Sequence, residues 1–317
     1  MWAALLMTAM LAGPAGGALQ APAPSGIDEL VVTGERTGPG LWHVHGPTGR
    51  RGEAWILGTV SPLPKSITWR SHEVEELLVK TNVVLVNKPF EIGIVRGLWL
   101  YLTQRSVFVI PNGRRLADVM PADLYRRFEI QRVKYSSDAE KWSRYRPIIA
   151  TAFLEQAALH QVGLSARLDI GAEVRTLAHR RGIPIEELKI AGVRDFIDAL
   201  KTMPKATELA CVAGALATVE SGLPRLIARA QAWTTGDVER IQKLPDPQEV
   251  DACFAALSAD AGAADLLTQI RKTWVDNVDS HLRGGDTSLA VVNMDLLLER
   301  GGLIDALRAR GYSVDAP

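Results

Sequence analysis

Cysteine is scarce in this chain: Cys211 and Cys253 are the only two among 317 residues. A pair so widely separated excludes a zinc motif of the usual spacing and a disulfide-dense scaffold. In an exported protein it permits one bridge. Both cysteines sit in segments of helical pattern, "TELACVAGAL" and "EVDACFAAL", and buried free thiols are the alternative. An excess of either charge is also missing. Lys plus Arg is 36 and Asp plus Glu is 36, which argues against a nucleic-acid partner. Charge is absent altogether before Asp28. The apolar stretch from Trp2 to Leu11 is broken by Gly13 and Pro14, too early for a membrane span of about 20 residues. Residues 1–20 therefore read as a secretory signal peptide, with small residues Gly16, Gly17 and Ala18 at the cleavage region, although a basic residue near the start is lacking. No cysteine follows to carry a lipid, and no later segment reads as apolar enough to span a bilayer. The expectation is an exported protein, periplasmic or secreted, with no transmembrane span in the mature chain.

What remains is ordinary globular material, 47% apolar and 23% charged. Residues 21–40 are rich in Pro, Gly and small side chains and read as a flexible lead-in. Residues 41–317 read as one domain. "GLWHVHG" and "EAWILGTV" are short apolar runs separated by Pro47, Gly49 and Gly52, as in a hairpin. Ser71 caps a helix, "HEVEELLVK", with Glu73 in its first turn. "NVVLVN" is continuously apolar, as in a strand buried on both faces. Strand, helix and strand together predict a βαβ unit. From Ile94 onward the period is mostly helical. "ADLYRRFEIQRVKY", "RPIIATAFLEQAALHQVG", "EVRTLAHRRG" and Ala206 to Thr234 read as helices, and "IPIEELKI" as a strand between them. The C-terminal stretch predicts a helix, a Gly-Gly turn, a buried strand, a helix and a short last strand. The fold class is α/β (α+β): a mixed central sheet built from both chain ends, with a large helical insertion.

Several of these segments together resemble the TraB/GumN family, which includes Tiki-type proteases and is related to the ChaN and erythromycin-esterase proteins. The frame is Leu41-Trp42, then Gly58-Thr59-Val60-Ser61, then Leu63-Pro64 and Trp69. It continues with "IPNGRRLADVM", Trp233 followed by Gly236-Asp237, and a final "LAVVNMDLLLERGGLIDALRARGYSV". The resemblance spans Leu41 to Val314. It implies a site in which two GxxH histidines and an acidic residue hold a divalent metal. Here those positions read Ser61, Asn87 and Asp295. An inner Leu-Glu-Thr of the family corresponds to Leu188-Lys189-Ile190, and Arg-Asn before a late Trp to Ile270-Arg271 before Trp274. Serine and asparagine are poor metal ligands, a lysine repels a cation, and one aspartate holds no transition metal tightly. The expectation is a pseudoenzyme with no cofactor. Gly58, Trp69, Lys88 and Lys189 are expected to line a retained cleft for a peptide, glycan or protein partner.

Other residues allow other chemistry. Ser61 could be a nucleophile only with a base and an oxyanion hole. Asp295 alone is a weak base, and the G-x-S-x-G elbow is absent. The plainer reading is that Ser61 caps or hydrogen-bonds its loop. A hydrolase with a rearranged site would use Asp295, Ser61 and His43 or His45. A structural envelope protein is the third reading. His43 and His45 share one face of a strand, a spacing that can bind zinc. The sequence offers no third ligand nearby, so a solvated hairpin face is expected. His72, His160, His179 and His281 read as surface helix residues. Most tryptophans read as core anchors. "GGDTS" reads as a turn, not a phosphate loop.

Overall fold

The computed structural model describes Gly38 and residues 40–46, 52–67, 69, 71–88, 94–138, 140–188, 193–244 and 261–317. Residues 1–20, expected to be a signal peptide, most of residues 21–40, Lys189 and Cys253 lie outside the described residues. Two short apolar runs form the expected hairpin: β1 (Trp42–His45) pairs antiparallel with β2 (Glu53–Thr59). β3 (Leu63–Pro64) follows, then α1 (His72–Leu78), whose first turn is closed by Ser71 Oγ accepting from Val74 N at 3.2 Å. β4 (Val83–Asn87) comes next, with Val83 to Val86 all buried.

The helical insertion begins with α2 (Ile94–Thr103), α3 (Arg105–Phe108) and a 3₁₀ turn at Leu116–Asp118. It continues with α4 (Ala122–Tyr135) and α5 (Pro147–Gln161), which Pro147 opens in its first turn. β5 (Leu164–Ser165) pairs back onto β3, a small second sheet that neither two-residue segment announces by pattern. Then come α6 (Ile170–Arg180), β6 (Ile185–Leu188), α7 (Val193–Thr202), α8 (Lys205–Ala217), a π-helical turn at Thr218–Gly222, α9 (Leu223–Thr235) and α10 (Val238–Lys243). The chain closes with α11 (Ala261–Gly284), β7 (Thr287–Asn293), α12 (Met294–Leu298), α13 (Leu303–Ala309) and β8 (Ser313–Asp315).

The main sheet has six strands in the order β6-β4-β7-β2-β1-β8. The neighbours from β6 to β2 are parallel, and β1 is antiparallel to both β2 and β8. The predicted β2-α1-β4 unit exists, but β7 from the far end of the chain is inserted between its two strands. β7 and β4 are the continuous apolar runs, and successive residues on both their faces are buried. The core around this sheet joins Trp42, Ile56, Leu57, Leu85, Ala290 and Val292 to helix residues Trp233, Trp274 and Leu307. Further apolar clusters lie within the insertion, one around Phe128, Leu154 and Leu216, another around Phe108, Ile149 and Ile197.

Helix continues without a break from Lys205 to Thr235, long and apolar enough by length and composition to cross a membrane. The sequence reading expected no such segment. Half of its apolar window is buried within the protein, and Val212, Leu216, Leu226 and Trp233 are core residues. Of its charged residues, Glu208 and Arg229 are buried, and Lys205, Glu220 and Arg225 are exposed.

Candidate functional site

Parallel strands end together, so β6, β4, β7 and β2 deliver their C-terminal residues to one edge of the sheet. Register fixes which residues meet there. Asn87 lies opposite Leu188, and Thr59 lies opposite Asn293. Ser61 follows β2 by two residues, and Asp295 follows β7 by two. The edge thus gathers Ser61, Asn87, Lys88, Asn293 and Asp295. In open α/β sheets this is the edge where ligands bind.

Asn293 sets the turn out of β7. Its side-chain oxygen accepts from Asp295 N at 2.7 Å, which caps α12. The Asp295 carboxylate is then held by Arg229, whose Nη2 donates to Oδ1. Arg229 is almost fully buried, with 4% of its side chain exposed. Its Nη1 donates to the Leu244 carbonyl at 2.6 Å, and its Nε has no hydrogen-bond partner among the described residues. One guanidinium therefore ties α9, the end of α10 and the start of α12 together.

Four residues along α9, one helical turn, Trp233 donates Nε1–H to the Gly58 carbonyl at 2.8 Å. Gly58 is buried in β2 rather than displayed on a surface. A Cβ there would stand 2.6 Å from Met294 Sδ and 3.0 Å from the Trp42 ring. The glycine is thus explained by the close approach of β2 to α12. Trp69 is also a buried core residue, and its Nε1 has no hydrogen-bond partner among the described residues. Gly38, at the end of the lead-in, is seated against Trp233 and Trp69 and donates to the Thr234 carbonyl at 3.3 Å.

Ser61 does not cap or hydrogen-bond its loop as expected: its Oγ is buried and has no hydrogen-bond partner among the described residues, while Ser71 caps α1 as the sequence predicts. At Asn87 the backbone carbonyl accepts from Arg175 Nη1 at 3.2 Å, and Arg175 is paired to Asp169. Lys88 is exposed and its backbone N–H donates to the Leu188 carbonyl. Arg271 is paired to Glu299.

The histidines fall elsewhere. His45 lies opposite Glu53 and His43 opposite Trp55, at the beginning of β2. Glu53 to Thr59 spans about 20 Å of strand, so His45 sits far from Ser61. His281 is not a surface residue: its Nδ1 meets Asp286 at 2.8 Å and its Nε2 meets Glu186 at 3.0 Å. Burial opposes its charge, but the two carboxylates outweigh burial and raise its pKa. Cys211 is buried in α8, and among the described residues no cysteine is free. Of the tryptophans read as anchors, Trp233 and Trp274 are fully buried, whereas Trp99 is exposed.

Sequence reading did not single out Arg229, Arg175, Asp169, Glu53 or Asp315. Arg229 left one signal. It precedes Trp233 by four residues, so both occupy one helix face, and that face is buried.

No curated protein and no solved structure matches the chain. The model of the TraB/PrgY/gumN family matches residues 40–316, nearly the whole length. The chain therefore belongs to the TraB/PrgY/gumN family.

Proposed function

We propose that this family member has lost metal-dependent hydrolysis and uses the C-terminal edge of its sheet to bind a peptide, glycan or protein partner. The observation that carries this is Arg229 on Asp295. Ser61, Asn87 and Asp295 stand where the metal-holding residues of active relatives are expected. Of these only Asp295 is an anionic ligand. A guanidinium, permanently charged, already satisfies it. A divalent ion beside that guanidinium would meet repulsion that nothing at Ser61 or Asn87 offsets. The donor set does not fit a catalytic metal.

Support for ligand binding comes from hydrogen-bonding capacity left unused. Ser61 Oγ, Trp69 Nε1 and Arg229 Nε are buried and have no hydrogen-bond partner among the described residues, and buried polar groups are ordinarily satisfied. A bound amide, hydroxyl or carboxylate would supply the missing partners. The rearranged hydrolase has less support. Among the described residues Ser61 Oγ makes no hydrogen bond to a base, Asp295 is engaged by Arg229, and His43 and His45 lie against the other end of β2.

The test is peptide hydrolysis by the full chain with manganese, cobalt or zinc supplied in turn. The proposal predicts no turnover above the protein-free rate with any metal. Metal-dependent cleavage that disappears in Asp295→Asn would overturn it.

A further inference from the structure

We propose a transition-metal site at the opposite corner of the sheet, built from His43 and His45 of β1 and Asp315 of β8, with Glu53 of β2 behind it. It is separate from the edge that carries Asp295 and stands independently of the function proposed there. The two histidines alternate with buried Trp42 and Val44, so they share the outward face of β1. Strand pairing brings the other groups to that face. His43 lies opposite Asp315 on one side and Trp55 on the other, while His45 lies opposite Glu53. The third ligand that local sequence lacked arrives from 270 residues away, through the C-terminal strand.

Distances suit coordination. Asp315 Oδ2 lies 3.2 Å from His45 Nε2 and 3.9 Å from His43 Nδ1. One donor atom from each of the three residues falls within 4.8 Å of the others. Ligands about 2.0–2.1 Å from a tetrahedral zinc stand roughly 3.3 Å from one another. Small side-chain rotations close the remaining gap.

Two further features suit a metal rather than a solvated face. The His43 ring is stacked on Trp55, with centroids 4.1 Å apart and planes at 14°, which holds its orientation. Among the described residues its Nε2 is buried without a hydrogen-bond partner, and Glu53 Oε2 lies 3.5 Å from it. With His43 Nδ1 on the metal, Nε2–H turns toward Glu53. That is the carboxylate–histidine–metal relation that orients ligating imidazoles. Two imidazoles and one carboxylate favour zinc, copper or nickel over magnesium or calcium. Bound there, the ion would pin β8, a three-residue edge strand, to β1.

Calorimetry with Zn²⁺ on the full chain tests this, with Co²⁺ absorption as a readout of coordination geometry. The expected result is one equivalent bound, a rise in Tm, and loss of both in His45→Ala and in Asp315→Asn. Glu53→Gln should weaken affinity by about 10-fold or more, and Asp295→Asn should leave it unchanged. Because His45 and Asp315 are well exposed, the metal-free melting of their variants should match the parent and so report on folding. Absence of binding at millimolar Zn²⁺, or binding that persists in both His45→Ala and Asp315→Asn, would overturn the assignment.

Discussion

A buried charge is stable only with its counter-charge, and Arg229 is the most deeply buried guanidinium at the candidate edge. Removing Asp295 by Asp295→Asn strands that charge, and about 3 kcal/mol of stability should be lost. Urea unfolding measures it. The double variant Arg229→Met with Asp295→Leu should lose less than the sum of the two single changes, because neither charge is then left alone. His281 gives a pH-dependent prediction. Its pKa is raised in the folded state by Asp286 and Glu186 despite burial. The stability it contributes is therefore complete below the unfolded value of about 6.5 and fades as pH rises through the folded value. The Tm difference between the parent and His281→Gln should be larger at pH 5.5 than well above neutrality. At this scale the sequence was only partly readable. Ser61, Asn87 and Asp295 were found through the family frame and do gather at one edge. Arg229, Asp315 and Glu53 were not found, because a lone charged residue on an amphipathic helix or a strand end looks solvated until tertiary packing places its partner.

Elements whose local pattern matches their environment were the readable ones. α4, α5, α6 and the long helix ending at Thr235 follow from apolar period, Pro at the start and Gly at the stop. β4 and β7 follow from continuous apolar runs. β3 and β5 have two residues each and no period to read. The insertion of β7 between β4 and β2 is a long-range pairing that no local pattern specifies. Gly58 belongs to this scale, since it sets how closely β2 and α12 approach. Gly58→Ala should cost about 1–3 kcal/mol by overpacking against Met294 and Trp42, again read by urea unfolding. Glu208, buried in α8, accepts from Arg146 Nη2 at 2.8 Å and from Arg146 Nε. Glu208→Ala should destabilise the junction of α5 and α8 by roughly 3 kcal/mol. A bridge between Cys211 and Cys253, the one pairing that two cysteines permit, predicts no reactive thiol in oxidised, denatured protein and two after reduction. Two reactive thiols before reduction would refute it.

At the scale of the molecule, one sheet offers two chemically different corners. The edge formed by the ends of β2, β4 and β7 carries the arginine-held Asp295 carboxylate and the Ser61 hydroxyl. The corner formed by β1 and β8 carries imidazoles beside carboxylates. Both exist because the two chain ends meet in one sheet, which places Asp295 beyond Ser61 and Asp315 beside His43. The loss of metal binding proposed at Ser61, Asn87 and Asp295 can be tested separately from the His43 corner. The most direct measurement is zinc and manganese calorimetry on the full chain in a His45→Ala background, which silences the other corner. The account predicts no binding at millimolar metal. Micromolar binding that disappears when Asp295→Asn is added would contradict it, and would mean that the edge holds a rebuilt metal site.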